Sequence, residues 1–120
     1  ALIGSRGWAA KDLVYSALEI LHEKYEMIEL VISGGAKGAD TFGLDWARVK
    51  GIETKVYSPD WRLHGLSAGF KRNALIVEAC THLIAFWDGS SRGTKHSLEL
   101  AKAAGKPTLY YLPDRKLYTL

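Results

Sequence analysis

The chain has 120 residues, of which 48% are hydrophobic and 24% are charged, and its formal net charge is +3. This is the composition of an ordinary folded protein with one hydrophobic core, so we expect a single domain over residues 1–120. The one cysteine, Cys80, excludes an internal disulfide. No apolar stretch reaches the roughly 20 residues of a membrane-spanning helix. We therefore expect a cytoplasmic protein without a membrane partner.

Apolar runs and helical patterns alternate along the chain. Five apolar runs are predicted strands: Ala1–Gly4, Leu30–Ser33, Thr54–Ser58, His82–Trp87 and Thr108–Leu112. Four segments with apolar residues at helical spacing are predicted helices: Lys11–Tyr25, Ala39–Lys50, Ala68–Cys80 and Lys95–Ala104. This alternation predicts right-handed βαβ crossovers. We expect a Rossmann-like three-layer sandwich, with a five-stranded parallel sheet of order 3-2-1-4-5 and helices on both faces.

The last predicted strand is an edge strand in this order. Together with the aromatic residues Tyr110, Tyr111 and Tyr118 it offers apolar surface that a short chain covers poorly. We therefore expect a homodimer or a larger homo-oligomer.

Three predicted strands lead directly into short loops that contain glycine, serine and a cation. The loops are Gly4–Gly7, Ser33–Gly38 and Asp88–Thr94. Glycines let backbone N–H groups converge on one point, and the first turn of a following helix adds unpaired N–H groups with a partial positive charge. The carboxyl ends of neighbouring parallel strands meet in one crevice. The sequence therefore predicts a site for a phosphate-bearing small molecule, most simply a nucleotide.

The cations are concentrated at these loops. Seven of the sixteen Lys and Arg residues lie in or beside the loops or in the central part of the chain: Arg6, Lys37, Arg62, Lys71, Arg72, Arg92 and Lys95. This local placement is typical of a phosphate pocket rather than of an extended nucleic-acid-binding face. The alternative for any one loop is a tight turn between a strand and a helix.

The common cofactor signatures do not match. Gly34–Gly38 is not G-x-G-x-x-G, and Tyr57 and Ser58 stand where a dinucleotide-binding acid would follow the next strand. Gly89–Thr94 lacks the lysine that nucleoside triphosphatases place directly after the second glycine. The histidines and Cys80 show no metal-ligand spacing. We expect no cofactor and no metal requirement.

A larger set of segments carries a resemblance to a known family. The segments are Gly4-Ser5-Arg6, Ser33–Asp40, Asp60-Trp61, Ala68-Gly69, Arg72-Asn73, Phe86–His96 and Gly105-Lys106-Pro107. Over nearly the whole chain they resemble the small bacterial and phage branch of the SLOG superfamily, related to YspA and cpYpsA (YAcAr). More distant members are the cytokinin-activating phosphoribohydrolases and the DNA-processing protein A. The resemblance implies a Rossmann-like fold and a nucleotide or nucleotide-derived ligand, as in the sensor members.

One position departs from the hydrolase branch. Those relatives carry a catalytic glutamate three positions after the Gly-Thr pair, where this chain has Ser97. The nearest acid, Glu99, lies about 200° around the helix axis from Ser97. A sensor or sequestering module without turnover is therefore the main hypothesis.

An N-glycosidase or phosphoribohydrolase acting on a nucleoside monophosphate is the alternative. Its candidate catalytic residues are Asp40 and Asp88, with Asp60 as a further acid. Asp40 is equally consistent with a helix N-terminal acid or with an acceptor for a ribose hydroxyl. A weaker hypothesis is binding of single-stranded nucleic acid through exposed Trp, Lys and Arg side chains.

The predicted binding residues come from all three loops and from the central part of the chain. They are Gly4, Ser5, Arg6, Ser33, Gly34, Gly35, Lys37, Gly38, Trp61, Arg72, Asn73, Asp88, Gly89, Ser91, Arg92, Gly93 and Thr94. Those predicted to hold the phosphate are Gly34, Gly35, Gly89, Gly93 and Thr94. Those predicted to surround the base or ribose are Arg6, Trp61, Arg72 and Asn73. For Trp61, packing at the edge of the core is the alternative.

Overall fold

Strands and helices alternate along the chain in the computed structural model, which describes residues 1–120. The strands are β1 (Leu2–Gly4), β2 (Leu30–Ser33), β3 (Glu53–Val56), β4 (Leu83–Phe86), β5 (Thr108–Tyr111) and β6 (Leu117–Thr119). The helices are α1 (Lys11–Ile20), α2 (Ala39–Lys50), α3 (Trp61–His64), α4 (Ala68–Ala79) and α5 (Arg92–Ala103). A π-helical turn, Leu21–Tyr25, continues α1, and a 3₁₀ turn, Gly65–Ser67, joins α3 to α4. None of the helices has the length and apolar character needed to cross a membrane.

The strands form two hydrogen-bonded sheets instead of one. β1, β4 and β5 are parallel in that order, β6 is antiparallel to β5, and β2 and β3 form a separate parallel pair. The prediction of one five-stranded parallel sheet of order 3-2-1-4-5 is therefore wrong, although each predicted pairing other than β1 with β2 is present. β1 has only three residues, and beyond it the chain packs against Gly38. The three residues of β1 form their ladder with β4, and no ladder joins β1 to β2.

Strand β6 was not predicted, and it covers the edge that β5 was expected to expose. The chain reverses at Pro113-Asp114, where the Lys116 N–H donates to the Asp114 carboxylate at 2.9 Å. The rings of Tyr110 and Tyr118 then stack with centroids 5.2 Å apart. The apolar edge that suggested a homo-oligomer is thus covered by the chain itself, and the oligomeric state stays a prediction.

The hydrophobic core lies on both faces of the strands, as predicted. Leu2 packs with residues of α1 and α2, including Val14 and Trp46, whereas the next residue, Ile3, packs with Ile76 and with other residues of α4 and α5. This alternation follows from the two-residue period of a strand. The molecule is an α/β protein with helices on both sides of a mixed arrangement of strands.

Two helices have features that matter for the crevice. On α4 the buried side chains are those of Ala68, Asn73, Ile76 and Val77, whereas Phe70 is 48% exposed. α5 begins at Arg92, three residues earlier than predicted, because Ser91 still has an extended backbone. Its first turn therefore includes the glycine and threonine of the third loop.

Candidate functional site

A crevice of about 480 Å³ opens between the carboxyl ends of β1 and β2 and the amino-terminal turns of α4 and α5. Twelve of the predicted site residues line it: Gly4, Ser5, Arg6, Gly34, Asp40, Trp61, Arg72, Asn73, Ser91, Arg92, Gly93 and Thr94. The predicted residues that lie outside its lining are Ser33, Gly35, Lys37, Gly38, Asp88 and Gly89. The fold thus brings together parts of all three loops and of the central part of the chain.

The loop between β2 and α2 is closed by Asp40, in the first turn of α2. Its carboxylate accepts hydrogen bonds from the Ser33 hydroxyl at 2.8 Å and from the Gly34 N–H at 3.0 Å. The Gly35 N–H donates to the Ser33 hydroxyl at 3.3 Å. The two N–H groups that were predicted to hold a phosphate already have acceptors inside the protein.

Asp40 is only 4% exposed. Burial raises the pKa of its carboxyl above the ordinary value, while the hydrogen bonds from Ser33 and Gly34 and the charge of Arg72 act in the opposite direction. Asp40 is therefore both a structural acceptor and a buried acid facing the crevice.

The loop between β4 and α5 is held by a different acid, Asp88, which stands before the helix. Its carboxylate accepts from the N–H groups of Ser90 and Ser91 at 2.8 and 2.7 Å and from the Ser91 hydroxyl at 2.7 Å. The backbone bonds from Ser91 and Ser90 are the main reason that the pKa of Asp88 is lowered to about 2. The Asp88 N–H donates to the Ser5 hydroxyl at 3.0 Å and so connects this loop to the end of β1.

The first turn of α5 presents free donors to the crevice. The first intrahelical bond runs from the Lys95 N–H to the Ser91 carbonyl. The N–H groups of Arg92, Gly93 and Thr94, which precede it, donate no hydrogen bond within the protein. Free N–H groups at a helix start, reinforced by the helix dipole, attract anions.

Three arginines face the same crevice: Arg6, Arg72 and Arg92. None of the three forms an ion pair. The Arg72 guanidinium donates to the Gly34 carbonyl at 3.1 Å, to the Tyr57 carbonyl at 3.5 Å and, through Nε, to Asn73 Oδ1 at 3.1 Å.

Burial lowers the pKa of Arg72 from its ordinary value, the charge of Asp40 raises it, and that of Arg6 lowers it further. Arg6 and Arg72 line the same crevice, and like charges near each other disfavour their charged forms. An anion placed between them would relieve this repulsion.

The mouth of the crevice is apolar. Trp61, Leu66 and Phe70, which we call the apolar rim, all line the crevice and are 52%, 98% and 48% exposed. Asp60 caps α3 by accepting from the Leu63 N–H at 3.0 Å. This cap orients the helix that carries Trp61.

The sequence did not identify Leu66 or Phe70 as site residues. Leu66 has no periodic partner, and Phe70 fits a buried helical stripe equally well. The available signal was the apolar cluster of Trp61, Leu63 and Leu66, between Pro59 and the predicted helix that begins at Ala68.

The position of the hydrolase glutamate is also in the crevice. Ser97 lines it, and the Ser97 hydroxyl donates to the Gly93 carbonyl at 3.3 Å. Glu99 points elsewhere and lies 4.0 Å from Lys95 at the surface. No three His, Cys, Asp or Glu side chains come together in a metal-binding arrangement.

Fold and site together define an α/β protein with a cationic crevice at the carboxyl ends of its strands. Residues 1–64 match the sequence model of the YspA, cpYpsA-related SLOG family, YAcAr. The Gene 61 protein of Mycobacterium phage D29 is 35% identical over 118 residues, which cover 92% of this chain and 93% of that protein. The chain belongs to the YspA, cpYpsA-related SLOG family, and the resemblance described above is confirmed.

Proposed function

We propose that this chain binds a nucleotide or a nucleotide-derived phosphate ligand in the crevice and acts as a sensor or sequestering module. One observation carries the proposal: three arginines without ion pairs and three free N–H groups of α5 line one cavity. The cavity volume of about 480 Å³ lies within the range of small-molecule sites.

The phosphate is expected between the first turn of α5 and the guanidinium groups. Arginine side chains and helix N-termini are the two protein groups best suited to phosphate oxygens. The loop after β2 contributes through Arg72, which it anchors at the Gly34 carbonyl, rather than through its own N–H groups. This arrangement needs no metal, because protein cations neutralise the phosphate.

The base is expected at the apolar rim. Trp61 and Phe70 are exposed aromatic side chains at the cavity mouth, and a planar base stacks favourably on such rings. A ligand with one anionic and one planar end matches the two ends of the crevice, and a nucleotide has both.

Binding without turnover is favoured by the acids of the crevice. Asp40 is the only carboxylate that lines it, and this carboxylate already accepts from Ser33 and Gly34. Ser97 stands where the hydrolase relatives have glutamate. No second acid or base faces the cavity to act with Asp40.

A nucleotide N-glycosidase is a second candidate because Asp40 is a buried acid with a raised pKa in a cleft, which is typical of a general acid. In that case Asp40→Asn would abolish release of free base while leaving phosphate binding largely in place. Asp88→Asn would affect the release of base only indirectly, by disturbing the loop between β4 and α5. If the protein is a sensor, no free base appears from any nucleotide, and both substitutions change affinity alone.

The test is a thermal-shift screen with nucleoside mono-, di- and triphosphates and single-stranded oligonucleotides, followed by calorimetry and by chromatography for released base. A ligand at 100 times its dissociation constant adds about 2.7 kcal/mol of stability. Arg6→Gln and Arg92→Gln should each weaken binding of a nucleotide. Arg48→Gln is the matched control, because Arg48 is an exposed cation of α2 outside the crevice.

Equal loss of affinity in the control would contradict the proposed site, as would the absence of binding by every nucleotide. Multiple-turnover release of base would move the assignment to hydrolase. Preference for oligonucleotides over mononucleotides would favour the single-strand hypothesis. Homo-oligomerisation is tested separately by sedimentation, where only a 13.3 kDa species at micromolar concentration would exclude it.

A further inference from the structure

Asn73 is a polar side chain of α4 that is only 6% exposed. Its Nδ2 group donates to the Gly93 carbonyl at 3.2 Å and lies 3.4 Å from His96 Nδ1. Its Oδ1 atom accepts from Arg72 Nε at 3.1 Å. Both N–H bonds of the amide and one lone pair of its oxygen are thus directed at protein groups, which leaves little capacity to bind a ligand directly.

The partners of Asn73 determine the orientation of the amide. Arg72 Nε can only donate, so it requires the amide oxygen, whereas the Gly93 carbonyl can only accept, so it requires the amide nitrogen. An aspartate at this position would offer only acceptors, so its carboxylate would accept from Arg72 but repel the Gly93 carbonyl oxygen. A leucine of similar size would bind neither, and the Gly93 carbonyl would keep only the Ser97 hydroxyl as a side-chain donor.

This amide joins two parts of the crevice that belong to different elements. Arg72 is on α4 and is also bound to Gly34 at the end of β2, and Gly93 is in the first turn of α5. No hydrogen bond runs directly from Arg72 to α5. Apart from Asn73, the guanidinium donates only to the carbonyls of Gly34 and Tyr57, at the ends of β2 and β3, so the Asn73 amide is its hydrogen-bonded link to α5.

We propose that Asn73 is a positioning residue that holds the Arg72 guanidinium and the first turn of α5 at a fixed spacing, so that one anionic group contacts both. The assignment rests on the proposed function, because it concerns the phosphate end of the same crevice. It replaces the prediction that Asn73 contacts the base or ribose.

The first test is a double-mutant cycle with Asn73→Ala, Arg72→Gln and the double variant. The probes are adenosine 5′-monophosphate and inorganic sulfate. Because part of the effect of Asn73 passes through Arg72, Asn73→Ala should weaken binding about tenfold in the otherwise unchanged protein and only about threefold when Arg72→Gln is present, where the contact with α5 alone is lost. Val77→Ala is the matched control, because Val77 is buried on the same helix and does not line the crevice; its affinity should be unchanged.

The second test uses the protein without ligand. In nitrogen-15 spectra the Arg72 Nε–H should exchange slowly with water, since it is bonded to a buried oxygen, and this protection should disappear in Asn73→Ala. Asn73→Ser serves the same purpose if the alanine variant does not fold. Additive losses in the cycle, or unchanged protection of the Arg72 Nε–H, would overturn the assignment.

The two proposals fail in different ways. Coupled losses for sulfate without binding of any nucleotide would overturn the proposed function and retain the role of Asn73. Nucleotide binding with additive losses would do the reverse. Binding of neither probe would overturn both.

Discussion

The loops Ser33–Gly38 and Asp88–Thr94 look alike in sequence and differ in what they offer a ligand. Each contains glycines, serine and a cation, and each joins a strand to a helix. In the first loop the N–H groups of Gly34 and Gly35 are occupied by Asp40 and Ser33. In the second, three residues of the first turn of α5 line the crevice, and their N–H groups have no acceptor within the protein.

The position of the acid explains this difference. Asp40 lies inside the first turn of α2, so its carboxylate reaches back and occupies the loop before the helix. Asp88 lies before α5 and occupies only the N–H groups of Ser90 and Ser91, which precede that helix. The placement of one carboxylate, more than the number of glycines, decides whether a strand-to-helix loop retains donors for an anion.

The largest effect on stability is expected at the glycines of the two loops. A Cβ at Gly38 would lie 2.7 Å from the carbonyl oxygens of Ser5 and Arg6, and its φ is +80°. Gly89 has a similar φ of +89° and open space around it. Gly38→Ala should therefore cost about 3 kcal/mol of unfolding free energy, through clash and backbone strain, and Gly89→Ala about 1 kcal/mol, through strain alone. Urea unfolding measures both, and equal costs would show that the first loop is not tightly packed on β1.

The free N–H groups of α5 can be tested at Arg92, the first residue of the helix. Ser91 has φ −58° and ψ 121°, which suits a residue before proline, and proline is well tolerated at the first helical position. Arg92→Ala should weaken nucleotide binding about tenfold through loss of the charge. Arg92→Pro should weaken it about fivefold further, because it also removes one N–H donor. Calorimetry measures the difference, and equal affinities of the two variants would mean that the N–H of residue 92 does not contact the ligand.

A smaller effect is expected from Ser33→Ala, which removes the hydroxyl between Asp40 and Gly35. The buried carboxylate loses one donor, and stability should fall by about 1–2 kcal/mol. Nucleotide affinity should change less than about twofold, since this loop holds Arg72 through a carbonyl that the substitution leaves intact. A large loss of affinity with little loss of stability would place Ser33 in contact with the ligand and break the contrast between the loops.

The smallest effect is a difference in pH dependence between the two acids. Asp88 has a folded-state pKa of about 2, below its ordinary value, so its stabilising contribution is present above about pH 4 and is lost as the pH falls through 2. The stability gap between the protein and Asp88→Asn should close over that window.

Asp40 has a raised pKa, so the free energy of unfolding falls as the pH rises through the titration of this carboxyl. Asp40→Asn should therefore gain stability relative to the protein with rising pH. Urea titrations between pH 2 and 8 measure the difference in unfolding free energy between the protein and each variant. If both differences change in the same direction with pH, the two acids do not differ as proposed.

Local patterns in the sequence were sufficient for much of the fold. The apolar runs located β1 to β5, and glycines and helical spacing located α2 and α4 to within about one residue. The sequence was insufficient for β6 and α3. α3 has four residues, which is too short for a helical period, and β6 follows the charged segment Asp114-Arg115-Lys116 without an apolar run of its own.

The sequence by itself determined the alternation of strands and helices, the three glycine-containing loops and the family. These properties depend on residues close together in the chain, where side-chain period and turn chemistry act. Only the tertiary structure decided which backbone N–H groups remain free and which groups hold the Arg72 guanidinium. Arg72 binds a carbonyl 38 residues away and Asn73 one that is 20 residues away, and hydrogen bonds over such separations exist only after the helices have packed on the strands.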